Sequence, residues 1–261
     1  MNSQDPDRAR GVLHELLSQA GRLARDRRRS TSVQLKPDGS PVSDVDQELD
    51  AWLGAELPRA FPGCGVIGEE GACLHGSEGT FHIDPIDGTQ SYLDGLPYWG
   101  PTVCLVRDGK LVLGAFYVPM LDEYWFAAAG HGAFRDGERL QLSPPQWGPK
   151  RQVLLVSSRF HAHPASARWQ GKIRALGSAA AHLALCAAGS GVAAIVPKWK
   201  LWDVGCGALL LTEAGGAISS LDGSAFDVVN GEQGLPIMAG APSALQNLAA
   251  AFAGRTDGEG Q

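Results

Sequence analysis

Residues 83–92, IDPIDGTQSY, place two aspartates three positions apart, and a Gly-Thr pair follows at once. Two carboxylates within a few ångströms of each other disfavour each other's ionisation, and a bound cation removes that repulsion. Ligation by carboxylate oxygens alone favours a hard ion over zinc or copper, and Mg²⁺ is the available one. The spacing of Asp84 and Asp87 therefore predicts a magnesium site.

The residues around these aspartates suit a turn that also meets a phosphate. Pro85 has no backbone N–H, so the chain can leave its strand there and present the carbonyl of Ile86 as a further oxygen ligand. Gly88 permits close approach of the backbone, and Thr89 can begin a short helix whose free amides bind phosphate. A surface Asx-turn is the alternative structure for DPIDGT.

Elements in the first half of the chain deliver acids at their ends. The short apolar run GVIGEE ends in two glutamates, and the run TFHI leads directly into Asp84. Both runs have the pattern of strands. Before them, Asp5 caps a first amphipathic helix, and a second helix begins near Ser43 with Asp46 in its first turn. After them, apolar runs around the Asp-Gly pair at 108–109 indicate a hairpin. The first half is predicted to be helices followed by an antiparallel meander.

The second half alternates between the two kinds of element. The proline-rich stretch at 142–152 is the best candidate boundary, and it divides one compact unit into residues 1–145 and 146–261. Strands are predicted at 153–157, 192–196 and 217–220, and helices at about 178–190, 203–214 and 243–254. This alternation predicts a layered α/β half, and the whole chain an α/β (α+β) fold.

Composition excludes several classes of function. The 261 residues are 44% hydrophobic and carry a formal charge of -6, which gives no field for binding nucleic acid. The arginine-rich stretch at 22–30 closes a helical pattern, which favours a solvated helix end over a nucleic-acid arm. Five cysteines without a CxxC pair indicate neither a disulfide framework nor zinc, and favour a reducing cytoplasm. Charged residues near the start and the lack of a long apolar run predict no export and no membrane span.

Several motifs together resemble those of a known family. GEE at 68–70, DPIDGT at 84–89 and WDVGCGALLLTEAGG at 202–216 resemble the signature set of the inositol monophosphatase family of metal-dependent phosphatases. KPDGSPVSDVD at 36–46 is a fourth matching block, and the order matches along almost the whole chain. The resemblance implies a layered αβαβα sandwich, a homodimer, and inhibition by lithium that depends on the region of Asp46 and Glu69.

The resemblance also implies a ligand set for two to three Mg²⁺ ions. Four of the implied ligands, which are named at the end of this paragraph, are acids. Together they carry four negative charges, so without cations they would repel a phosphate dianion. Two Mg²⁺ ions neutralise the acids, and a third gives a positive charge that matches the phosphate. The implied ligands are Glu69, Asp84, the carbonyl of Ile86, Asp87 and Asp203.

Catalytic roles follow from the same resemblance. Thr89 and Asp46 correspond to the pair that positions or deprotonates the attacking water together with Glu69. The amides of Gly88 and Thr89 correspond to the phosphate donors.

The resemblance also implies roles for four further residues. Glu70 corresponds to an outer group, although some members use both acids of the motif. Lys36 either touches water or metal in the site or is an ordinary exposed lysine. Ser178 and Ala179 begin a helix that lies near the substrate alcohol in the family.

The motifs indicate the type of reaction more specifically than they indicate the substrate. Val196 stands where inositol-specific members carry a glutamate, which counts against a strict inositol preference. The KxDGSPV block, the fifteen-residue spacing from Glu69 to Asp84 and GLPYWGPTVCL resemble the histidinol-phosphate phosphatase branch. The resemblance therefore implies a Mg²⁺-dependent phosphomonoesterase for histidinol phosphate or myo-inositol monophosphate. The alternatives are a 3′-phosphoadenosine 5′-phosphate 3′-phosphatase and a catalytically silent binding homologue.

Three further features complete the sequence-based predictions. His161 and His163 form an HAH motif without a third ligand in spacing, which favours a polar loop over a transition-metal site. Gly205 and Gly207 stand where alanines are usual in the family, and their small size predicts a looser helix. The polar tail GRTDGEGQ is predicted to be disordered.

Overall fold

The computed structural model describes residues 5–143, 148–160 and 169–253. The helices are α1 Pro6–Arg27, α2 Asp44–Ala60, α3 Thr89–Asp94, α4 Ala179–Ala187, α5 Leu201–Glu213 and α6 Pro242–Ala253. The strands are β1 Val33–Leu35, β2 Pro41–Ser43, β3 Gly65–Gly68, β4 Cys73–Leu74, β5 Thr80–Asp87, β6 Gly100–Arg107, β7 Lys110–Val118, β8 Glu123–Ala128, β9 Gly132–Arg135, β10 Glu138–Leu140, β11 Val153–Val156, β12 Lys172–Arg174, β13 Ala193–Val196, β14 Ala217–Ser220 and β15 Ile237–Gly240.

Caps set the starts of the first two helices, as predicted. Asp5 accepts hydrogen bonds from the N–H groups of Asp7 and Arg8, and Pro6 fills the first position of α1. Ser43 and Asp46 form a capping box at the start of α2. The arginine-rich stretch is indeed a helix end, because Arg27 closes α1.

The first sheet has eight strands in the order β10-β9-β8-β7-β6-β5-β3-β4. Strands β5 to β9 form the predicted antiparallel meander, and β10 extends it. The sequence did not predict that β3 lies parallel to β5, with Gly68 opposite Ile83. Because parallel strands end at the same edge of a sheet, Glu69 after β3 and Asp84 in β5 reach one place.

The second sheet has five strands in the order β12-β11-β13-β15-β14. Strands β12, β11 and β13 are parallel, and β15 runs antiparallel to β13 and β14. The sequence patterns missed β1, β2, β4, β10, β12 and β15. All of these strands except β15 have two or three residues, which is too short to show a period.

Helices and sheets alternate in five layers, which confirms the αβαβα sandwich. Helices α1 and α2 cover the outer face of the first sheet, α4 and α5 lie between the sheets, and α6 packs on the second sheet. Side chains from both halves of the sequence build the core between the sheets. The boundary between residues 145 and 146 stays a prediction, because residues 144–147 lie outside the described residues.

The glycines of α5 allow close packing on two sides. A Cβ at Gly205 would overlap the Sγ of Cys104 in β6, and a Cβ at Gly207 would overlap Leu183 in α4. Residue 205 therefore needs glycine for contact with the first sheet, and residue 207 for contact with the neighbouring helix. The expectation of a looser helix was wrong, because close neighbours fill the space.

Two predictions fall outside the described residues. They are the polar loop at His161 and His163 and the disordered tail at 254–261. Among the helices that the structure describes, none combines the length and apolar character that crossing a bilayer requires.

Candidate active site

Three acids from distant parts of the sequence meet at one end of the sandwich. Carboxylate oxygens of Glu69, Asp84 and Asp203 all lie within 4.8 Å of one another. Glu69 follows β3, Asp84 lies in β5 and Asp203 is the third residue of α5. The N–H of Lys200 donates to Asp203 Oδ2 at 2.6 Å and fixes its side chain at the helix start.

Burial and mutual repulsion shift the protonation of this cluster. Burial raises the pKa of Asp84 well above its ordinary value, and the charges of Glu69, Asp87 and Asp203 add to the shift. Burial, followed by the charge of Asp87, raises the pKa of Asp203 to about 8. The metal-free cluster therefore holds protons near neutral pH, and a divalent cation would replace them.

Asp87 is held by the beginning of α4. The hydroxyl of Ser178 and the N–H of Ala180 donate to Oδ2, the N–H at 2.9 Å, and the N–H of Ala179 donates to Oδ1 at 3.3 Å. Burial raises the pKa of Asp87 in spite of these donors. The resemblance placed Ser178 and Ala179 near the substrate alcohol. The structure adds that both residues orient the carboxylate of Asp87, which is not one of the three acids that meet within 4.8 Å.

The turn after Asp87 has the conformation that its glycine indicated. Gly88 has φ 94° and precedes α3, and a Cβ there would lie 3.2 Å from the carbonyl oxygen of Gly177. The first amides of a helix have no acceptor within it, so the start of α3 offers free donors. The hydroxyl of Thr89 lies 3.4 Å from Asp46 Oδ1 and 3.2 Å from the carbonyl oxygen of Ile86.

One carboxylate oxygen of Asp46 accepts hydrogen bonds from Ser43, and the other faces the hydroxyl of Thr89. The N–H of Ser43 donates to Oδ2 at 2.9 Å, and the hydroxyl of Ser43 donates to the same oxygen. Burial raises the pKa of Asp46 to about 6, against the hydrogen bonds from Ser43. A carboxylate with a pKa near neutrality is suited to accept a proton from an attacking water.

Lys36 is not an ordinary exposed lysine. Its Nζ lies 2.7 Å from Glu69 Oε1 and 2.5 Å from Glu70 Oε1. Burial works to lower the pKa of Lys36, but the hydrogen bonds and charges of the two glutamates outweigh it and raise that pKa. Glu70 therefore faces the site through Lys36, as an outer group would.

Asp50 supports the site and was missed in the sequence. It is buried one turn after Asp46 in α2, and its Oδ2 accepts a hydrogen bond from the N–H of Ala72 at 2.6 Å. A Cβ at Gly68 would overlap its carboxylate, so the glycine of GEE makes room for Asp50. An acid on the apolar stripe of an amphipathic helix was the available signal.

A cavity of 360 Å³ opens beside Asp87 and Asp203. Ser178, Ala179 and Val196 line it. The space therefore adjoins Asp203 of the acid cluster and the start of α4.

The family model described as the inositol monophosphatase family matches residues 5–255. The chain belongs to this family. Curated relatives include the inositol-1-monophosphatase of Mesorhizobium japonicum, 33% identical over 84% of this chain and 88% of the relative. The histidinol-phosphatase of Mycobacterium tuberculosis is 32% identical over 74% of this chain and 79% of the relative.

Solved structures of the inositol monophosphatase family share the fold. The IMPase of Thermotoga maritima has a TM-score of 0.84 and 25% identity, and the match covers 92% of this chain and 95% of that one. The extragenic suppressor protein suhB of Bartonella henselae has a TM-score of 0.82 and 27% identity, over 95% of this chain and 98% of that one. The chain is thus a phosphoric monoester hydrolase of this family that acts on a small phosphorylated metabolite.

The residues present fit the metal dependence of the inositol monophosphatase family. The clustered donors are carboxylate oxygens, which suit a hard divalent cation. The ammonium of Lys36 already bridges Glu69 and Glu70, so the edge of the cluster attracts positive charge.

Proposed function

We propose that the protein is a Mg²⁺-dependent phosphomonoesterase that hydrolyses a small phosphorylated alcohol with water as the nucleophile. The observation that carries this proposal is the approach of Glu69, Asp84 and Asp203 within 4.8 Å. Acids this close in a buried setting are costly unless cations bind between them. The family supports the hydrolytic reaction, and the oxygen donors favour Mg²⁺.

The chain would hold two to three Mg²⁺ ions through five groups. When bound, these ions supply charge neutralisation and Lewis acidity toward the phosphoryl group and the attacking water. The ligands in this proposal are Glu69, Asp84, the carbonyl of Ile86, Asp87 and Asp203.

The chain's own residues would orient and deprotonate the water and bind the phosphate. The hydroxyl of Thr89, 3.4 Å from Asp46, would orient the water, and Asp46 would accept its proton together with Glu69. The free amides of Gly88 and Thr89 at the start of α3 would bind phosphate oxygens.

Histidinol phosphate and myo-inositol monophosphate are the leading substrates. Relatives of about equal identity carry both names, so they support both equally. A 3′-phosphoadenosine 5′-phosphate 3′-phosphatase is the alternative activity. All the acids of the motif set and Thr89 are present, which argues against a silent binding homologue. A homodimer and a cytoplasmic location complete the proposal.

The proposed activity is tested by phosphate release from the three named substrates, with Mg²⁺ and with excess chelator. We expect hydrolysis only with Mg²⁺. We also expect Asp203→Asn to lose at least about 100-fold in kcat/KM, because a cluster oxygen becomes an amide. The matched control is Asp26→Asn, which changes an exposed aspartate of α1. Full turnover in chelator would rule out the metal assignment.

A further inference from the structure

The cavity beside the acid cluster has a distinct charge pattern. Apart from Asp87 and Asp203, the only charged side chain in its described lining is Lys198. Ser157, Ser158 and Ser178 add hydroxyls to the lining. His182 also borders the cavity, but it is uncharged, because burial lowers its pKa to about 4. Once cations offset the two aspartates, the charge that a substrate's alcohol portion meets is therefore positive.

The backbone fixes the position of Lys198. It lies in the short connection between β13 and α5, directly after Pro197, which restricts the backbone. The next residue, Trp199, is buried, and its indole N–H donates to the carbonyl oxygen of Leu235 at 2.7 Å. Lys198 itself is exposed and borders the cavity. The restricted backbone of Pro197 on one side and the anchored Trp199 on the other thus hold the lysine at the cavity.

The ammonium of Lys198 is available for a ligand. Across residues 5–143, 148–160 and 169–253, no carboxylate forms an ion pair with it. One acid outside the cavity is affected by the charge of Lys198: Asp38, in the exposed turn between β1 and β2. Hydrogen bonds from Ser40 lower the pKa of Asp38, and the charges of Lys198 and Lys36 lower it further. Asp38 therefore competes with any anion for Lys198 across solvent.

We propose that Lys198 selects substrates whose alcohol portion carries a second anionic group, either a phosphate or a carboxylate. This inference rests on the proposed function, because the acid cluster must hold the scissile phosphate. A second anion would pair with Lys198, whereas an ammonium group would meet a like charge and no free carboxylate. A cavity of 360 Å³ is large enough for such an alcohol portion. Of the two leading substrates, this inference disfavours histidinol phosphate, because its alcohol portion carries an ammonium group.

The test compares compounds that differ chiefly in charge. Glycerol 3-phosphate is neutral in its alcohol portion, 3-phosphoglycerate carries a carboxylate there, and phosphoethanolamine carries an ammonium group. Fructose 1-phosphate and fructose 1,6-bisphosphate test a second phosphate. At saturating Mg²⁺, we expect kcat/KM to be about tenfold higher for the anionic member of each pair, as one charge-assisted hydrogen bond provides. Phosphoethanolamine is expected to be the slowest.

Variants of Lys198 test whether this lysine causes the preference for anionic compounds. Lys198→Gln should lower the ratio of anionic to neutral kcat/KM about tenfold, Lys198→Glu should invert it, and Lys198→Arg should keep it. Asp38→Asn should raise the ratio, because it removes the competing anion. The matched control is Lys150→Gln, which changes an exposed lysine outside the cavity and should leave the ratio unchanged.

Failure of this inference differs from failure of the proposed function. If Lys198→Gln changes kcat/KM by the same factor for anionic and neutral compounds, the lysine does not select substrates. A preference confined to carboxylate, or to phosphate, would support the inference and identify the anion. If none of these compounds, nor p-nitrophenyl phosphate, nor the three substrates named under the proposed function releases phosphate with Mg²⁺, both proposals are wrong.

Discussion

Ser178 illustrates how much of the site depends on residues that orient other side chains. Its hydroxyl donates to Asp87, and the N–H groups of Ala179 and Ala180 donate to the same carboxylate. Donors of this kind fix the orientation of a metal-ligating side chain and its basicity. The start of α4 therefore supports the candidate site by orienting Asp87.

Removing the Ser178 hydroxyl should weaken metal binding. We expect Ser178→Ala to raise the Mg²⁺ concentration for half-maximal activity about 10-fold to 100-fold, because Asp87 loses a charge-assisted hydrogen bond. A Mg²⁺ titration of phosphate release measures this concentration. Ser178→Thr keeps the hydroxyl and should restore most of the affinity. An unchanged half-maximal concentration in Ser178→Ala would show that the contact does not orient a ligand.

Contact between α5 and the first sheet places Asp203 opposite Asp84. The helix approaches β6 closely because Gly205 has no side chain to meet Cys104. Asp203 stands two residues before this glycine, so its position depends on how closely the helix packs. A wider separation would move the third acid of the cluster away from the other two.

Gly205→Ala should therefore destabilise the protein although alanine favours helices. Overpacking against Cys104 is expected to lower the free energy of unfolding by about 1–3 kcal/mol. Chemical denaturation measures it. Gly11→Ala is the matched control, because nothing lies within 4 Å of a Cβ at that position of α1. The control should gain up to about 1 kcal/mol from helix propensity.

A second substitution separates packing from other causes. Cys104→Ala removes the sulfur that the new methyl group would overlap. The double variant Gly205→Ala with Cys104→Ala should therefore be more stable than the sum of the two single changes predicts. Additive effects would show that the glycine is needed for another reason.

The acid cluster affects the stability of the whole molecule. In the metal-free protein the folded-state pKa of Asp203 is about 8, against an ordinary value of 3.8, and burial also raises the pKa of Asp84 and Asp87. Between these two values the folded state binds more protons than the unfolded state, so the free energy of unfolding falls as pH rises. The stabilisation is complete below about pH 4 and lost above about pH 8.

Thermal unfolding at several pH values tests this linkage. Without metal, we expect Tm to fall by roughly 5 °C or more between pH 5 and pH 8. Mg²⁺ should raise Tm more at pH 8 than at pH 5, because protons compete with it at the lower pH. Asp203→Asn should flatten the pH dependence of the metal-free protein. A Tm that rises with pH in the unsubstituted chain, or the same slope in the variant, would contradict this account.

Local sequence determined much of this protein. Neighbouring residues predict the caps Asp5 and Ser43, the period of the long helices and the meander from β5 to β9, and the structure has them. The acids of DPIDGT and the glycine turn after them could also be predicted, because all the residues involved lie within six positions of the sequence. The motifs further indicated the family, and hence the phosphatase reaction and the layered fold.

Only the tertiary structure decided how distant segments meet. The parallel pairing of β3 with β5 brings Glu69 beside Asp84. The hydrogen bond from Ser178 to Asp87 joins residues 91 positions apart. The roles of Lys36 and Asp50 likewise depend on partners from other elements. Such contacts leave no periodic trace in the sequence, since they depend on how whole elements pack and on the space that Gly68 and Gly205 leave open. The sequence therefore sets the chemistry, and packing sets the geometry in which it acts.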